Sequence, residues 1–314
     1  MEPASFKDSF RVAKTTSPLL IALTALSLAA PMAAQAGGGS DREVPRSNTF
    51  GGDCVKCELS GRRLHGAHFM NANFSGAALV GSDLREAHFI SSIFSGADLT
   101  RADLTDSQIL GVNFSNAILT HAKLRDTQAS GSIFTDANLS GADFTDSSAQ
   151  GSNFNQAQMV GAIMRNTDLT GANLNKVVAH NADFHDATLR AATLTYGRFE
   201  KAIFRDAVLE FAVLMGANFD NADFKDADLH RTQIGDADLS HAHNLTQDQL
   251  DEACGNSHTR VPSGLVAKPC SGSVHIPMPH IRVAIPAAPP APPAPPAPPG
   301  PYRYLVAVTP RSAP

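Results

Sequence analysis

The four cysteines carry the chemistry that is easiest to name. Cys54-Val55-Lys56-Cys57 is a C-x-x-C pair with His65 and His68 close behind it. Such a pair supports three readings: a local disulfide, a redox dithiol, or half of a zinc site. Zinc asks for four ligands, and the other two cysteines, Cys254 and Cys270, lie at the far end of the informative part of the chain. His65 and His68 could complete a Cys2His2 set. A redox motif usually opens a helix, and nothing after Cys57 starts one. A structural disulfide is the favoured reading, with metal second. Cys254 and Cys270 bracket a loop containing Pro262 and Gly264. In an oxidising compartment they form a second disulfide, worth about 3 kcal/mol for a loop of this size. His68 and His88 stand twenty residues apart and could weakly hold a metal, but isolated surface histidines are the commoner case. Ser, Asp and His recur throughout without any spacing that selects a triad, so no catalytic residue, metal ligand or cofactor is assigned.

The elements that position these residues are set by one period. Every fifth residue from Leu59 to Leu239 belongs to a single register without an insertion. Of these 37 positions, 30 are Leu or Phe, and the others are Ile109, Ala129, Ala149, Met159, Met164, Ala179 and Ile234. A small residue stands two positions before nearly every one, with Arg62, Val112 and Val177 as departures. Five matches neither the helical nor the strand period. It matches a chain that turns a corner once per unit and points one large and one small side chain inward. Phe74, Phe94, Phe114, Phe134 and Phe154 add a period of twenty, as do Phe184, Phe204 and Phe224. Four units then make one coil, and the coil is square. Stacked like neighbouring strands, about nine coils give a rod of roughly 43 Å.

Ala97-Asp98-Leu99-Thr100-Arg101, Ala137-Asn138-Leu139-Ser140-Gly141 and Ala172-Asn173-Leu174-Asn175-Lys176 resemble the A(D/N)LXX motif of the pentapeptide-repeat family. The resemblance covers residues 57 to about 241 and implies an all-β fold, the right-handed quadrilateral β-helix. The ending, LTQDQLDEACG followed by VPSGLVAKPC, is similar to that of many exported members.

The repeat organises the rest of the chain. Residues 1–36 read as a signal peptide: Lys7, Arg11 and Lys14 precede the uncharged stretch from Leu19 to Ala30, and Ala34-Gln35-Ala36 offers a cleavage site. Residues 37–53 form a flexible N-terminal segment, 54–244 the solenoid, and 245–270 a helical cap with its disulfide loop. Thr246-Gln247-Asp248-Gln249 is a capping box that starts a short helix carrying Leu250 across the last coil. Residues 271–314 are a Pro/Ala-rich disordered tail, whose APPAPPAPPG run favours a polyproline II spacer. No apolar run is long enough to span a bilayer. The protein is expected to be periplasmic or secreted, cleaved after Ala36.

Function must therefore lie on the outward columns. His65, Arg85, Thr105, Arg125, Thr145, Arg165, His185, Arg205 and Lys225 form one, and Gly66, Glu86, Asp106, Asp126, Asp146, Asn166, Asp186, Asp206 and Asp226 form its neighbour. Arginines beside stacked aspartates relieve repulsion, which makes a structural role the default. Two apolar groups are harder to explain by folding: Met70, Ile90 and Leu110 near Ile93, and Val208, Phe211, Val213 and Met215. Contiguous exposed apolar surface marks contacts. An unknown protein partner or a second copy of the chain is expected there.

Charge excludes a basic nucleic-acid binder, because 25 Lys and Arg face 30 Asp and Glu for a net charge of −5. Some cytosolic members of the resembling family bind type II topoisomerases by imitating duplex DNA. That is the alternative if the signal peptide is not used. Between residues 57 and 241 the chain holds 22 acidic and 14 basic residues, a net of −8. A duplex of the same length carries roughly 25 negative charges. A filled rod offers an enzyme no water-excluded cleft. The reading is a non-catalytic exported scaffold for protein interaction or self-association, without nucleic acid or a membrane span.

Overall fold

The computed structural model describes residues 53–270. The expected signal peptide 1–36, the expected N-terminal segment 37–53 apart from Asp53, and the expected tail 271–314 lie outside the described residues. Among the described residues no helix is long and apolar enough to cross a membrane.

The described chain is a right-handed quadrilateral β-helix. Parallel bridges join residues twenty apart from Asp53↔Asn73 to Asp223↔His243, so four pentads close each coil. In each pentad the large residue and the small residue two before it point inward. Leu99, Leu104, Phe94 and Phe114 are buried, as are Ala97, Ala102 and Ala117. The bridging residue lies between them. The last residue of each pentad takes a positive φ, as at Arg101 (57°), Asp106 (60°) and Gly131 (68°). Each corner then closes with a bond such as Ala102 N–H to the Leu99 carbonyl at 2.9 Å. A positive φ at the third residue is what a type II turn demands, which explains the frequent Gly, Asn and Asp there.

The motif's Asp or Asn has a definite task. The amide after each large residue points away from the ladder, and the side chain two positions earlier takes its hydrogen bond. Thr100 N–H donates to Asp98 Oδ1 at 2.9 Å, Ser115 N–H to Asn113 Oδ1 at 2.9 Å, and Thr170 N–H to Asp168 Oδ1 at 2.9 Å. An otherwise orphaned backbone donor is thereby satisfied at each such unit.

The core is a stack of phenylalanines in two directions. Phe94, Phe114, Phe134 and Phe154 stack at 5.2, 5.1 and 4.9 Å. Phe144 meets Phe134 and Phe154 edge-on from the opposite face at 5.8 and 6.1 Å. Phe144 stands in the coils where Ala129 and Ala149 replace a large residue, so volume is conserved across the coil. Val112 and Val177 occupy the small slot, and their corner bonds stretch to 3.4 Å. A branched side chain there holds the corner open.

Both ends are closed covalently. Cys54 is bonded to Cys57 and Cys254 to Cys270. The sequence places the first pair before the first coil; the structure places it within that coil. Cys54 stands twenty residues before Phe74 and Cys57 twenty before Ala77, and both pack against the core. The disulfide thus spans a corner, and as a disulfide it offers no thiolate to zinc. At the other end, helix α1 (Gln247–Glu252) has Thr246 as its N-cap, with both arms of a capping box formed. Leu250 is buried, and Gln249 Nε2 donates to the carbonyls of Phe224 and Ala227 at 2.9 and 2.8 Å. The cap does not end the coil. Bridges Gln233↔Cys254 and Asp238↔Arg260 continue it after α1, with the helix absorbed as a longer corner.

Candidate interaction surface

Four faces meet at four edges, and the positive-φ corner residues set the character of each edge. Between the face holding Leu84 and the face holding Phe89 runs an acidic edge. Glu86, Asp106, Asp126, Asp146, Asp186, Asp206 and Asp226 stand on it, all with positive φ and all exposed.

The arginines beside this edge do not serve it. Arg125 reaches Asp143 at 2.5 Å, Arg165 reaches Asp183 at 2.5 Å, and Arg205 reaches Asp223 at 2.6 Å. These aspartates occupy the bridging column of the Leu84 face, one coil further on. The expected relief of the corner carboxylates by their neighbouring arginines is therefore replaced by a different pairing. The bridging aspartates win because they are fixed by their own backbone hydrogen bonds and are less exposed. Asp143 shows the balance: burial pushes its carboxyl up, but the Thr145 hydroxyl and amide and the Arg125 guanidinium hold it below the ordinary range. A repeat of Arg and Asp at forty-residue intervals was the signal in the sequence.

Some partners do reach the acidic edge. His65 Nε2 lies 3.6 Å from Glu86, Lys225 Nζ 3.7 Å from Asp226, and Asn166 donates to Asp146 at 2.6 Å. His185 Nε2 lies 3.2 Å from Asp186 and its Nδ1 3.7 Å from Asp206. Ligand atoms of these three residues lie within 4.8 Å of one another, close enough to share a cation.

The next edge, between the Phe89 and Phe94 faces, is the opposite in kind. Its corner residues are Asn71, Ser91, Gly111, Gly131, Gly151, Gly171, Ala191, Phe211 and Arg231. Four successive glycines, all with positive φ between 61° and 68°, leave a strip of bare backbone. Ser130, Gln150 and Thr170 flank it on one side and Asn153, Asn173 and Thr193 on the other. Asp168 stands beside this stretch, bonded to the Gln150 side chain and the Thr170 amide, and the Arg190–Glu210 pair follows in the Ser130 column.

Both apolar groups singled out in the sequence adjoin this glycine edge, one at each end. Met70, Ile90 and Leu110 form the column beside its first corners. Met70 is exposed, while Ile90 and Leu110 are half-buried. The same stretch contains strands β1 (His68–Met70) and β2 (His88–Ile90), paired in register. His68 and His88 stack there at 4.2 Å between ring centroids. Burial, then the neighbouring His68 charge, lowers the pKa of His88. Ile93 and Ile133 stand exposed across the corner.

At the other end Val208, Phe211 and Val213 are half-buried beside the glycine edge, while Met215, 38% exposed, stands beside the following edge next to Gly216. Phe211 is itself a corner residue with φ 60°, a costly conformation for an aromatic side chain. The Arg231 guanidinium covers its ring at 5.4 Å. The sequence assigned these residues outward positions; that the two groups share one edge emerges from the coil. Tyr196, unnoticed in the sequence, is 63% exposed and stands on the following edge, where its ring lies over Gly216.

The chain matches the Pentapeptide repeats family in eight copies between residues 67 and 241. Among solved structures it is similar to HetL, a pentapeptide repeat protein involved in heterocyst differentiation regulation from the cyanobacterium Nostoc sp. strain PCC 7120. Identity is 28%, covering 57% of this chain and 81% of HetL, with a TM-score of 0.56. It is also similar to trypsin-treated QnrB1, a plasmid-mediated fluoroquinolone resistance protein, at 18% identity, 69% and 93% coverage and a TM-score of 0.30. A pentapeptide repeat protein of the Arabidopsis thaliana thylakoid lumen is 24% identical over 39% of this chain and 80% of its own, with a TM-score of 0.18. No curated protein matches the chain. With a matched span of more than half its length and the square coil that the repeat builds, the chain belongs to the pentapeptide-repeat family.

Proposed function

We propose that the protein is a non-catalytic, exported scaffold that binds a protein partner along its glycine edge. The observation that carries this reading is the placement of the two apolar groups towards the two ends of the glycine edge. Apolar surface gathered at both ends of a strip with no side chains admits a partner's backbone or side chains at close range. The interior supports a structural role, since the inward positions are filled by packed Leu, Phe and Ala. Members of this repeat family are generally non-catalytic. The signal-like segment 1–36 and the two disulfides support an oxidising location outside the cytoplasm.

A second reading has one observation in its favour. The arginines turn away from the acidic edge and leave its carboxylates facing solvent, as a protein imitating nucleic acid would require. The net charge of −8 between residues 57 and 241 remains far below the roughly 25 charges of a duplex of that length. The exported scaffold is preferred.

Cell fractionation of the tagged full-length chain tests the location, and capture of periplasmic proteins by the mature chain tests the binding role. Mature protein in the periplasm or medium, with a partner lost on Leu110→Asp or Phe211→Asp, supports the proposal. Retention of an uncleaved chain in the cytoplasm, with topoisomerase captured instead, replaces it with the second reading.

A further inference from the structure

On the acidic edge, His185 falls between two corner carboxylates. Asp186 follows it in the chain, and Asp206 stands one coil further on in the corner column. Arg165 and Arg205, which flank His185 in its own column, are engaged by Asp183 and Asp223. Among the described residues His185 is thus the only basic side chain within ion-pairing distance of Asp186 or Asp206. His65 stands in the same column but lacks this set. Its own corner residue is Gly66, and only Glu86 lies near it, at 3.6 Å.

The backbone fixes which ring nitrogen of His185 is free. Nδ1 lies 3.1 Å from the Arg205 carbonyl, and the same oxygen accepts the Asp186 amide at 3.0 Å. A carbonyl can only accept, so Nδ1 carries the hydrogen and the neutral ring presents its Nε2 lone pair. That lone pair meets Asp186 Oδ2 at 3.2 Å. Two acceptors at this distance need a cation between them, either a proton or a metal ion. A proton joins two groups in a line, whereas a metal ion gathers several, and here a second carboxylate completes a group of three. An imidazole anchored through its other nitrogen to a backbone carbonyl is also the usual arrangement of a metal-bound histidine.

We propose that His185 Nε2 and the carboxylates of Asp186 and Asp206 bind one divalent ion of the zinc class. Three donors around zinc at about 2.1 Å stand ~3.4 Å apart. The His185–Asp186 pair already has that separation, and no ligand atom of the three lies more than 4.8 Å from another. Asp206 is exposed, so a small side-chain rotation closes the remaining gap. Imidazole favours zinc over calcium and magnesium, which take oxygen ligands. The ion would tie two successive coils together and relieve the repulsion between stacked carboxylates. Its remaining positions are open to water or to a donor group from another molecule. The site lies on the acidic edge and is independent of what the glycine edge binds.

The test uses the tag-free mature chain, stripped of metal by a chelator and titrated with zinc chloride in a calorimeter. The expected result is saturable binding of one zinc ion per chain, lost on His185→Gln and on Asp186→Asn combined with Asp206→Asn. Asparagine tolerates the left-handed corner, so the paired substitution keeps the coil. Binding should be retained when His68→Gln is combined with His88→Gln. In the unsubstituted protein, zinc should shield His185 from diethylpyrocarbonate, read by peptide mass spectrometry, while the exposed His241 and His258 stay reactive. Absence of saturable binding overturns the proposal. Binding that survives His185→Gln, or zinc that leaves His185 as reactive as before, overturns it equally.

Discussion

Arg125 passes over Asp126, its neighbour in the chain, and pairs with Asp143 in the following coil at 2.5 Å. The choice separates two kinds of carboxylate that look alike in sequence. Asp143 is tied to its own backbone by Thr145, whose amide and hydroxyl donate to Oδ1 at 3.0 and 2.6 Å. Asp126 sits on a left-handed corner and faces solvent. One set of aspartates builds the coil, and the other is left on the surface.

The structural set makes the fold acid-sensitive. Asp143 and Asp223 are held below their ordinary pKa: burial opposes this, but hydrogen bonds from Thr145 and Arg125 in one case, and from Asn244, Arg205 and Lys225 in the other, outweigh it. A depressed folded pKa means that the unfolded chain binds more protons as the pH falls. Their contribution is full above about pH 4, where the unfolded carboxylates ionise, and is lost as the pH falls through the folded values. Thermal melts should show Tm falling below pH 4, and Asp143→Asn combined with Asp223→Asn should flatten that fall.

Removal of one ring from the stack should be costly. Phe134 is fully buried between Phe114 and Phe154, with Phe144 edge-on. Phe134→Ala should destabilise by about 3–5 kcal/mol in urea unfolding, the usual range for an aromatic cavity. Ala149→Phe should also destabilise, by about 1–3 kcal/mol, because Phe144 already fills that space.

The C-terminal closure depends on its capping box. Thr246 accepts from the Gln249 amide at 3.3 Å, and its own amide donates to Gln249 Oε1 at 2.8 Å. Thr246→Ala should cost about 1 kcal/mol. Hydrogen exchange should show the loss first in α1 and the bridges after it, with the Phe114 coils still protected.

The glycine edge should tolerate alanine and resist bulk. An added Cβ at Gly131 meets nothing within 4 Å, so Gly131→Ala carries only the cost of a left-handed alanine, about 1 kcal/mol. At Gly216 the same atom would come within 2.5 Å of the Tyr196 ring. Gly216→Ala should therefore displace Tyr196, visible as a change in its fluorescence, while Gly131→Ala should not.

The coil was legible because its period is set by the core. Leu, Phe and Ala recur where a square turn needs them, and phenylalanines at twenty-residue intervals fix four pentads to a coil. The capping box was legible for the same reason, being a local pattern with a local cause. The entry of Cys54 and Cys57 into the first coil was less so, because cysteine interrupts the Leu/Phe register. The arginine pairing was hidden because proximity in sequence favours Arg125 with Asp126, whereas the winning contact depends on which carboxylate the backbone holds still. The surface was partly legible. Met70, Ile90 and Leu110 stood out as a column, but their place on one edge with Phe211 required the corner residues between them, which are glycines and carry no side-chain signal.

The central claim is that the glycine edge, not the acidic one, binds the partner. Cross-linking capture from periplasmic extract by three forms of the mature chain tests it: wild type, Phe211→Asp, and Asp106→Asn combined with Asp126→Asn and Asp146→Asn. The expected result is one protein captured by the wild type, retained by the triple acidic-edge variant and lost with Phe211→Asp. Capture that survives Phe211→Asp and disappears with the acidic-edge variant would contradict it.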